Sequence, residues 1–321
     1  MARPRWVIMT AACAMVVAGC ASSYPATVVP TPAPSSSPSS VSAATPAACP
    51  DAVASYAPSG AIPTPSELPS GSYMATIKKR GRLIAGVSAD TYLLGSRNPL
   101  NGTIEGFDID LVKQVARAIL GDQNAYELKV ITAAQRIPAL EDGSVDLVAR
   151  NMTITCDRWT QIAFSAEYYR SGQKVLVRKG AKASKITDLS GQRVCAPNAT
   201  SSMENLRQRA PKAIAVGSDS HTGCLVLFQQ GQVDAITGDD TVLAGLAAQD
   251  PYAEVTAAPA FTQEPYGIGI SLKHPDFVRF VNQRLAEIKS DGEWKRSYDR
   301  WLAGPLGPAP TPPKAVYGRN P

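Results

Sequence analysis

Cysteine placement is the first chemical signal in this sequence. Cys20 closes the string Val17-Ala18-Gly19-Cys20, at the end of a basic head (Arg3, Arg5) and an apolar run from Trp6 to Val17. That layout is an export signal. The run is too short for a bilayer-spanning helix, which needs about 20 residues. Small residues before such a cysteine form a lipobox, so residues 1–19 are expected to be cleaved and Cys20 to carry lipid, each buried CH₂ adding about 0.8 kcal/mol of membrane affinity. Cys13 leaves with the signal. Cys49, Cys156, Cys195 and Cys224 then remain, and four cysteines in an exported chain point to two disulfides in one of three pairings. Zinc competes poorly, because no Cys-x-x-Cys pair occurs. The two histidines, His221 and His274, have no metal or nucleophile partner at useful spacing, and both are expected to be ordinary surface or core residues.

A folded body must position these groups, and 321 residues allow two domains at roughly 100–200 residues each. The net charge of +5 is small and spread along the chain, which implies no nucleic-acid partner. Residues 20–70 are rich in Pro, Ser, Ala and Thr, as in TPAPSSSPSS. They offer too little apolar surface to offset their ordering entropy and read as a semi-stiff tether. Cys49 within it suggests that part of the tether is pinned to the body. The Pro-rich end, 303–321, is expected to be disordered. Between these ends the strings RLIAGVS, LKVITA, VDLVARN, KVLVRK, RVCAPN, AIAVGS and VDAITG read as strands. FDIDLVKQVARAIL, with Ile109, Val112, Val115, Ala116 and Ile119 at helical spacing, reads as a helix, as do RIPALEDG, MENLRQR, CLVLFQQ and a long final stretch from Phe277 to Leu302. Such alternation argues for an α/β fold with parallel layers.

The strings GRLIAGV, IEGFDIDLVKQVA, RIPALEDGSVDLV, NMTITCDR, FSAEYY, ITDLSGQRVCAPNATSS, QQGQVDAITGDDTVLAG, PYGIGI and DGEWKRSYDRWL run from about Gly81 to Trp301. In this order and spacing they resemble the extracellular solute-binding proteins of the polar amino-acid type. The resemblance implies a two-lobed α/β fold of the periplasmic-binding-protein type II class with two hinge strands. Lobe 1 would be 78–170 plus 265–302 and lobe 2 would be 175–262, with linkers near Gly172 and Thr262–Pro265. It implies an amino-acid ligand (glutamate, aspartate or their amides) and a membrane-embedded partner, either the permease of an ABC importer or a sensor protein. No cofactor, metal or catalytic residue is implied. Dehydratases sharing this scaffold need an aromatic-lined pocket, which Leu94 and Ala133 do not supply.

Carried over residue by residue, the resemblance makes Arg158 the bidentate donor to the ligand's α-carboxylate, a task that suits a guanidinium fork. Thr153 and Asn151 would bond the ligand's backbone groups, and Thr200 and Ser201 would add donors from a helix start. Asp239 would take the α-ammonium, with Asp240 beside it as a helix cap. Ser88 stands where an aspartate is frequent, Leu94 where a phenylalanine is usual, Ala133 in place of another ring and Pro197 in place of a lysine. Loss of that aspartate removes a charge that would repel an acidic ligand. Arg97, Arg136 and Arg150 are candidate cations nearby, and Arg150 is the most unusual because alanine is common at its position. An arginine facing the cleft implies an anion, since an unpaired buried guanidinium costs several kcal/mol. Cys195 and Cys224 both map to lobe 2 and are expected to pair, leaving Cys49 with Cys156.

Overall fold

Apolar runs that read as strands assemble into two separate five-stranded sheets in the computed structural model, which describes residues 51–321. The expected signal (1–19), Cys20 and Cys49 lie outside the described residues. In chain order the first elements are β1 (Ala54–Ser55), α1 (Tyr73–Arg80), β2 (Leu83–Val87), β3 (Asp90–Thr91), β4 (Gly95–Arg97), β5 (Ile104–Glu105), α2 (Phe107–Leu120), β6 (Tyr126–Val130), α3 (Arg136–Glu141), β7 (Leu147–Val148), α4 (Cys156–Trp159), β8 (Ile162–Phe164) and β9 (Tyr169–Ser171). There follow β10 (Gln173–Arg178), β11 (Arg193–Pro197), α5 (Ser201–Arg209), β12 (Ile214–Ser218), α6 (His221–Gln229), β13 (Ala235–Asp239), α7 (Asp240–Gln249) and β14 (Ala253–Val255). The last are β15 (Glu264–Tyr266), β16 (Gly269–Ser271), α8 (Pro275–Ser290), α9 (Glu293–Trp301), α10 (Ala303–Leu306) and β17 (Val316–Tyr317).

One sheet, in the order β6-β2-β7-β16-β8, forms lobe 1; the other, β12-β11-β13-β10-β14, forms lobe 2. Both are mixed, where the sequence pattern suggested parallel layers. β10 runs antiparallel to β13 and β14, and β16 antiparallel to β7 and β8. β10 follows β9 through Gly172 alone and β16 follows β15 with no helix between, so each of these antiparallel strands enters its sheet directly from the inter-lobe link. β9 and β15 themselves pair antiparallel, Glu264 opposite Ser171 and Tyr266 opposite Tyr169, and make the two-stranded link between lobes. At Gly172 a Cβ would lie 2.4 Å from the Ala260 Cβ, so the link is closely packed.

Lobe 1 has one continuous core. α2 turns Ile109, Val112, Val115, Ala116 and Ile119 inward at the expected spacing and stops at a left-handed Gly121. Its Phe107 joins an aromatic group with Tyr168, Tyr169, Trp294 and Tyr298. Lobe 2 has two smaller clusters, one around Val175, Val194 and Leu206 and one around Leu176, Phe228 and Ile236. The second contains the Cys195–Cys224 disulfide.

Three expectations need correction. Residues 303–321 are not a disordered tail: they form α10 and β17, and β17 pairs in parallel with β1. Nor does the tether run to residue 70. From Asp51 onward the chain lies on lobe 1, where Asn282 Nδ2 donates to Ser55 Oγ and Tyr56 O, and Ser55 Oγ donates to Phe164 O. Prolines restrict the free chain, so both segments lose less entropy on docking than their composition suggested. The final helical stretch is divided at Gly292 (φ 83°) into α8 and α9.

Candidate functional site

The cleft side of lobe 1 is made where β7 ends. The chain continues through Arg150 to Asn151, whose left-handed φ of 35° is tolerated better by asparagine than by most residues. Asn151 N donates to Asp108 Oδ2 (2.8 Å), tying this turn to the start of α2. Next comes α4, capped by Thr155, whose Oγ1 accepts from Arg158 N. Arg158 is thereby buried, and its Nη1 donates to Thr153 O (2.6 Å). Arg136, at the start of α3, is buried as well; it donates to Ala133 O, Arg150 O and Ala199 O. Arg150 Nε donates to Ile131 O (2.9 Å). Among the described residues none of these three guanidiniums has an ion-pair partner. Desolvation lowers the pKa of all three, and for Arg136 the charges of Arg158 and Arg150 lower it further.

Lobe 2 supplies the starts of three helices. β11 runs through a left-handed Ala199 (φ 55°) to Thr200, which caps α5 by accepting from Met203 N (3.2 Å). Ser220 caps α6 in the same way, accepting from Gly223 N. Asp239 ends β13 ahead of α7. Helix N-termini carry partial positive charge and free N–H groups, so this wall too favours anions. The expected cap at Asp240 is off by one position: Asp239 is the N-cap residue of α7, with no side-chain capping bond, and Asp240 is the first helical residue, accepting from Thr241 N and Ser171 Oγ. Asp239 accepts from Tyr266 Oη at Oδ2 (2.6 Å), while its buried Oδ1 has no partner among the described residues. Burial, and then the charge of Glu264, push its pKa well up.

These groups meet in one cavity lined by Arg136, Arg150, Asn151, Thr153, Arg158, Thr200, Ser201, His221 and Asp239, with Thr91, Ala133, Pro197, Ser202 and Ser220 completing it. The enclosed space is about 20 Å³, the scale of a water molecule. The lobes touch across it: Arg136 Nη2 donates to Ala199 O (3.2 Å), Thr222 Oγ1 donates to Asp90 O (2.7 Å), and Thr153 Oγ1 lies 3.2 Å from Ser201 Oγ. Two buried acceptors, Asn151 Oδ1 and Asp239 Oδ1, are unpartnered among the described residues. The cavity therefore offers guanidinium donors and vacant acceptors together, the complement of a zwitterion.

Eight of the sequence-derived site candidates line this cavity: Arg136, Arg150, Asn151, Thr153, Arg158, Thr200, Ser201 and Asp239. Ser88 and Leu94 do not. Ser88 is one side chain behind, bonded to Asp90 Oδ1 and to Thr91 Oγ1, and Thr91 takes the lining position. Leu94 follows a left-handed Leu93 (φ 75°) and is buried in the lobe 1 core. Arg97 is exposed and donates to Gly102 O. His221 is corrected in the other sense. It lines the cavity, with Nε2 3.3 Å from Thr237 O, and desolvation lowers its pKa to about 4. A bare Gly238 makes its room, since a Cβ there would lie 2.3 Å from His221 Nε2. His274 stacks on Tyr73. Glu264 was not singled out from sequence. It accepts from Thr153 Oγ1 (2.8 Å) in lobe 1, from Ser201 Oγ (2.7 Å) and Asn205 Nδ2 (3.1 Å) in lobe 2, and from Thr262 Oγ1 in the link. Its position beside PYGIGI was the available signal. The Cys195–Cys224 pairing is present. Cys156 is disulfide-bonded, and the expected partner Cys49 lies outside the described residues.

Two α/β lobes joined by crossing antiparallel strands, with a polar cavity lined from both sides, define a two-lobed binding protein of the type II periplasmic class. The chain belongs to the bacterial extracellular solute-binding proteins, family 3, whose pattern matches residues 83–304. It is 37% identical over 230 residues to the ABC transporter glutamine-binding protein GlnH of Bacillus subtilis, covering 71% of this chain and 84% of that protein. A glutamine-binding protein of Geobacillus stearothermophilus is 42% identical over 204 residues, covering 63% of this chain and 78% of the relative. Among solved structures, an ancestral arginine-binding protein bound to glutamine has a TM-score of 0.65 and 30% identity, covering 70% of this chain and 98% of that one. These relatives are solute-binding proteins, not enzymes.

Proposed function

We propose that this protein is an extracytoplasmic receptor for one free amino acid, held at the outer face of the cell membrane by lipid on Cys20 and delivering its ligand to an ABC importer. Glutamate or aspartate is favoured over the corresponding amides. The observation that carries the reading is the charge of the cavity: three buried guanidiniums and three helix starts face a single lining carboxylate. Arg158 takes the α-carboxylate with donors at Thr200 and Ser201, and Asp239 Oδ1 and Asn151 Oδ1 accept from the α-ammonium. Arg150 and Arg136 remain for a side-chain carboxylate. The ligand enters when the lobes separate about the β9–β15 link, and by bridging both walls it favours a closed state in which the water-sized space between them has widened to hold it. The glutamine named for the two curated relatives supports the amide as second reading.

A thermal-shift screen of the twenty amino acids tests the proposal, because a ligand bound only by the folded state raises stability as RT ln(1 + [L]/Kd). Glutamate or aspartate is expected to give the largest shift. A largest shift from glutamine transfers the assignment to the amide, and no shift from any of the four overturns it. Loss of amino-acid uptake on deleting the protein marks delivery to an importer; unchanged uptake marks a sensor that signals through a membrane partner.

A further inference from the structure

Trp159 directly follows Arg158 and is the last residue of α4. Its ring is boxed by two segments far apart in sequence, around 52–56 and around 319. Nε1 donates to Ala52 O (2.8 Å), the Tyr56 ring lies 5.8 Å away between centroids, and the Arg319 guanidinium sits 4.2 Å over its face. Arg319 also donates through Nε to Ala54 O and through Nη2 to Asp51 O, both at 3.1 Å. The β1–β17 pair ends two residues earlier, and Lys289 Nζ bonds Glu167 O and Pro313 O, holding the returning tail. Both boxing segments lie outside residues 83–304, the span shared with the family.

α4 has only 4 residues, too few to hold a helical turn by its own hydrogen bonds. The disulfide of Cys156 holds its first residue, and packing must hold its last, where the box around Trp159 is such packing. We propose that the segments holding Ala52–Tyr56 and Arg319 form a brace that fixes the Trp159 end of α4 and so aims Arg158 into the cavity. Arg319 is a positioning residue acting through Trp159. The brace makes ligand affinity depend on a contact formed by Arg319, and this rests on the reading of Arg158 as the carboxylate clamp.

The test uses the full chain with Arg319→Ala, Arg319→Lys and Trp159→Phe, titrated calorimetrically with L-glutamate and L-glutamine, together with amide exchange at Trp159 and Thr160, which close α4. Arg319→Ala is expected to weaken binding roughly fivefold, the scale of one exposed cation–π contact, and to speed exchange in α4 while leaving α7 unchanged. Arg319→Lys keeps a cation and restores most of the affinity; Trp159→Phe keeps the packing but loses the donor to Ala52 and gives a smaller loss. In an Arg158→Ala background the Arg319 effect on affinity disappears. Faster α4 exchange with unchanged affinity overturns the positioning role, and unchanged α4 exchange overturns the brace. If the parent protein binds neither amino acid, the ligand assignment fails by itself, and α4 exchange in Arg319→Ala still decides whether the brace exists.

Discussion

The two walls of the cleft present charge by opposite means. Lobe 1 uses long side chains, Arg136, Arg150 and Arg158, each held by main-chain carbonyls and backed by one continuous aromatic-rich core. Lobe 2 uses mainly backbone, the starts of α5, α6 and α7, with Asp239 as its one lining carboxylate. Its core is divided between the two faces of its sheet and stapled by Cys195–Cys224. A side-chain donor can be deleted by many substitutions, whereas a backbone N–H is removed only by proline. The lobes should therefore differ sharply in how substitution harms binding.

The largest effect is expected from Arg158→Ala, which should cost about 4 kcal/mol of binding, or nearly a thousandfold. Thr200→Ala, across the cleft, should cost at most about tenfold, because the α5 amides remain. Calorimetry showing equal losses would erase the contrast between the walls. Replacing both Cys195 and Cys224 by serine opens a loop of sequence separation 29 and should remove roughly 3 kcal/mol of stability. Trp159, Trp294 and Trp301 all belong to lobe 1, so in urea their fluorescence should report a later transition than far-UV circular dichroism. Coincident transitions would mean that the lobes unfold together.

His221 sharpens the comparison by pH. Burial lowers it from 6.5 to about 4, so the unfolded chain takes up the proton first, and stability falls as pH drops from 6.5 toward 4. Asp108 in lobe 1 opposes this. Desolvation raises it from 3.8 to about 6, and the stability it contributes at low pH is lost as pH rises through that value. His221→Gln should flatten the rise of stability between pH 4 and 6.5 by at most about 3 kcal/mol, measured by urea unfolding at each pH. An unchanged slope would mean that His221 is charged in the folded protein. The smallest effect is expected from Arg150→Gln, which should lower the preference for glutamate over glutamine about tenfold, near 1.4 kcal/mol, in competition calorimetry.

Much of the site was legible because its residues sit at element ends with local signatures. Thr200 and Ser201 follow a strand and open a helix; Asp239 closes the strand VDAITGD. Arg158 was readable only within the string NMTITCDR. Leu94 was misplaced because a left-handed Leu93 turns it inward, which no periodicity announces. His221 looked inert because it has no partner in sequence; a bare Gly238 on another element makes its niche. Arg136 ranked with Arg97, behind Arg150, until burial separated the two.

By itself the sequence determined the α/β alternation, the lobe strings and most of the residue types that line the cavity. These depend on composition, period and short-range order. The tertiary structure decided which strands run antiparallel, that the Pro-rich ends dock against Trp159, and that Glu264 joins both lobes and the link. Each of these is a contact between residues far apart in the chain, formed only when lobe packing brings them together, so no local pattern could encode it.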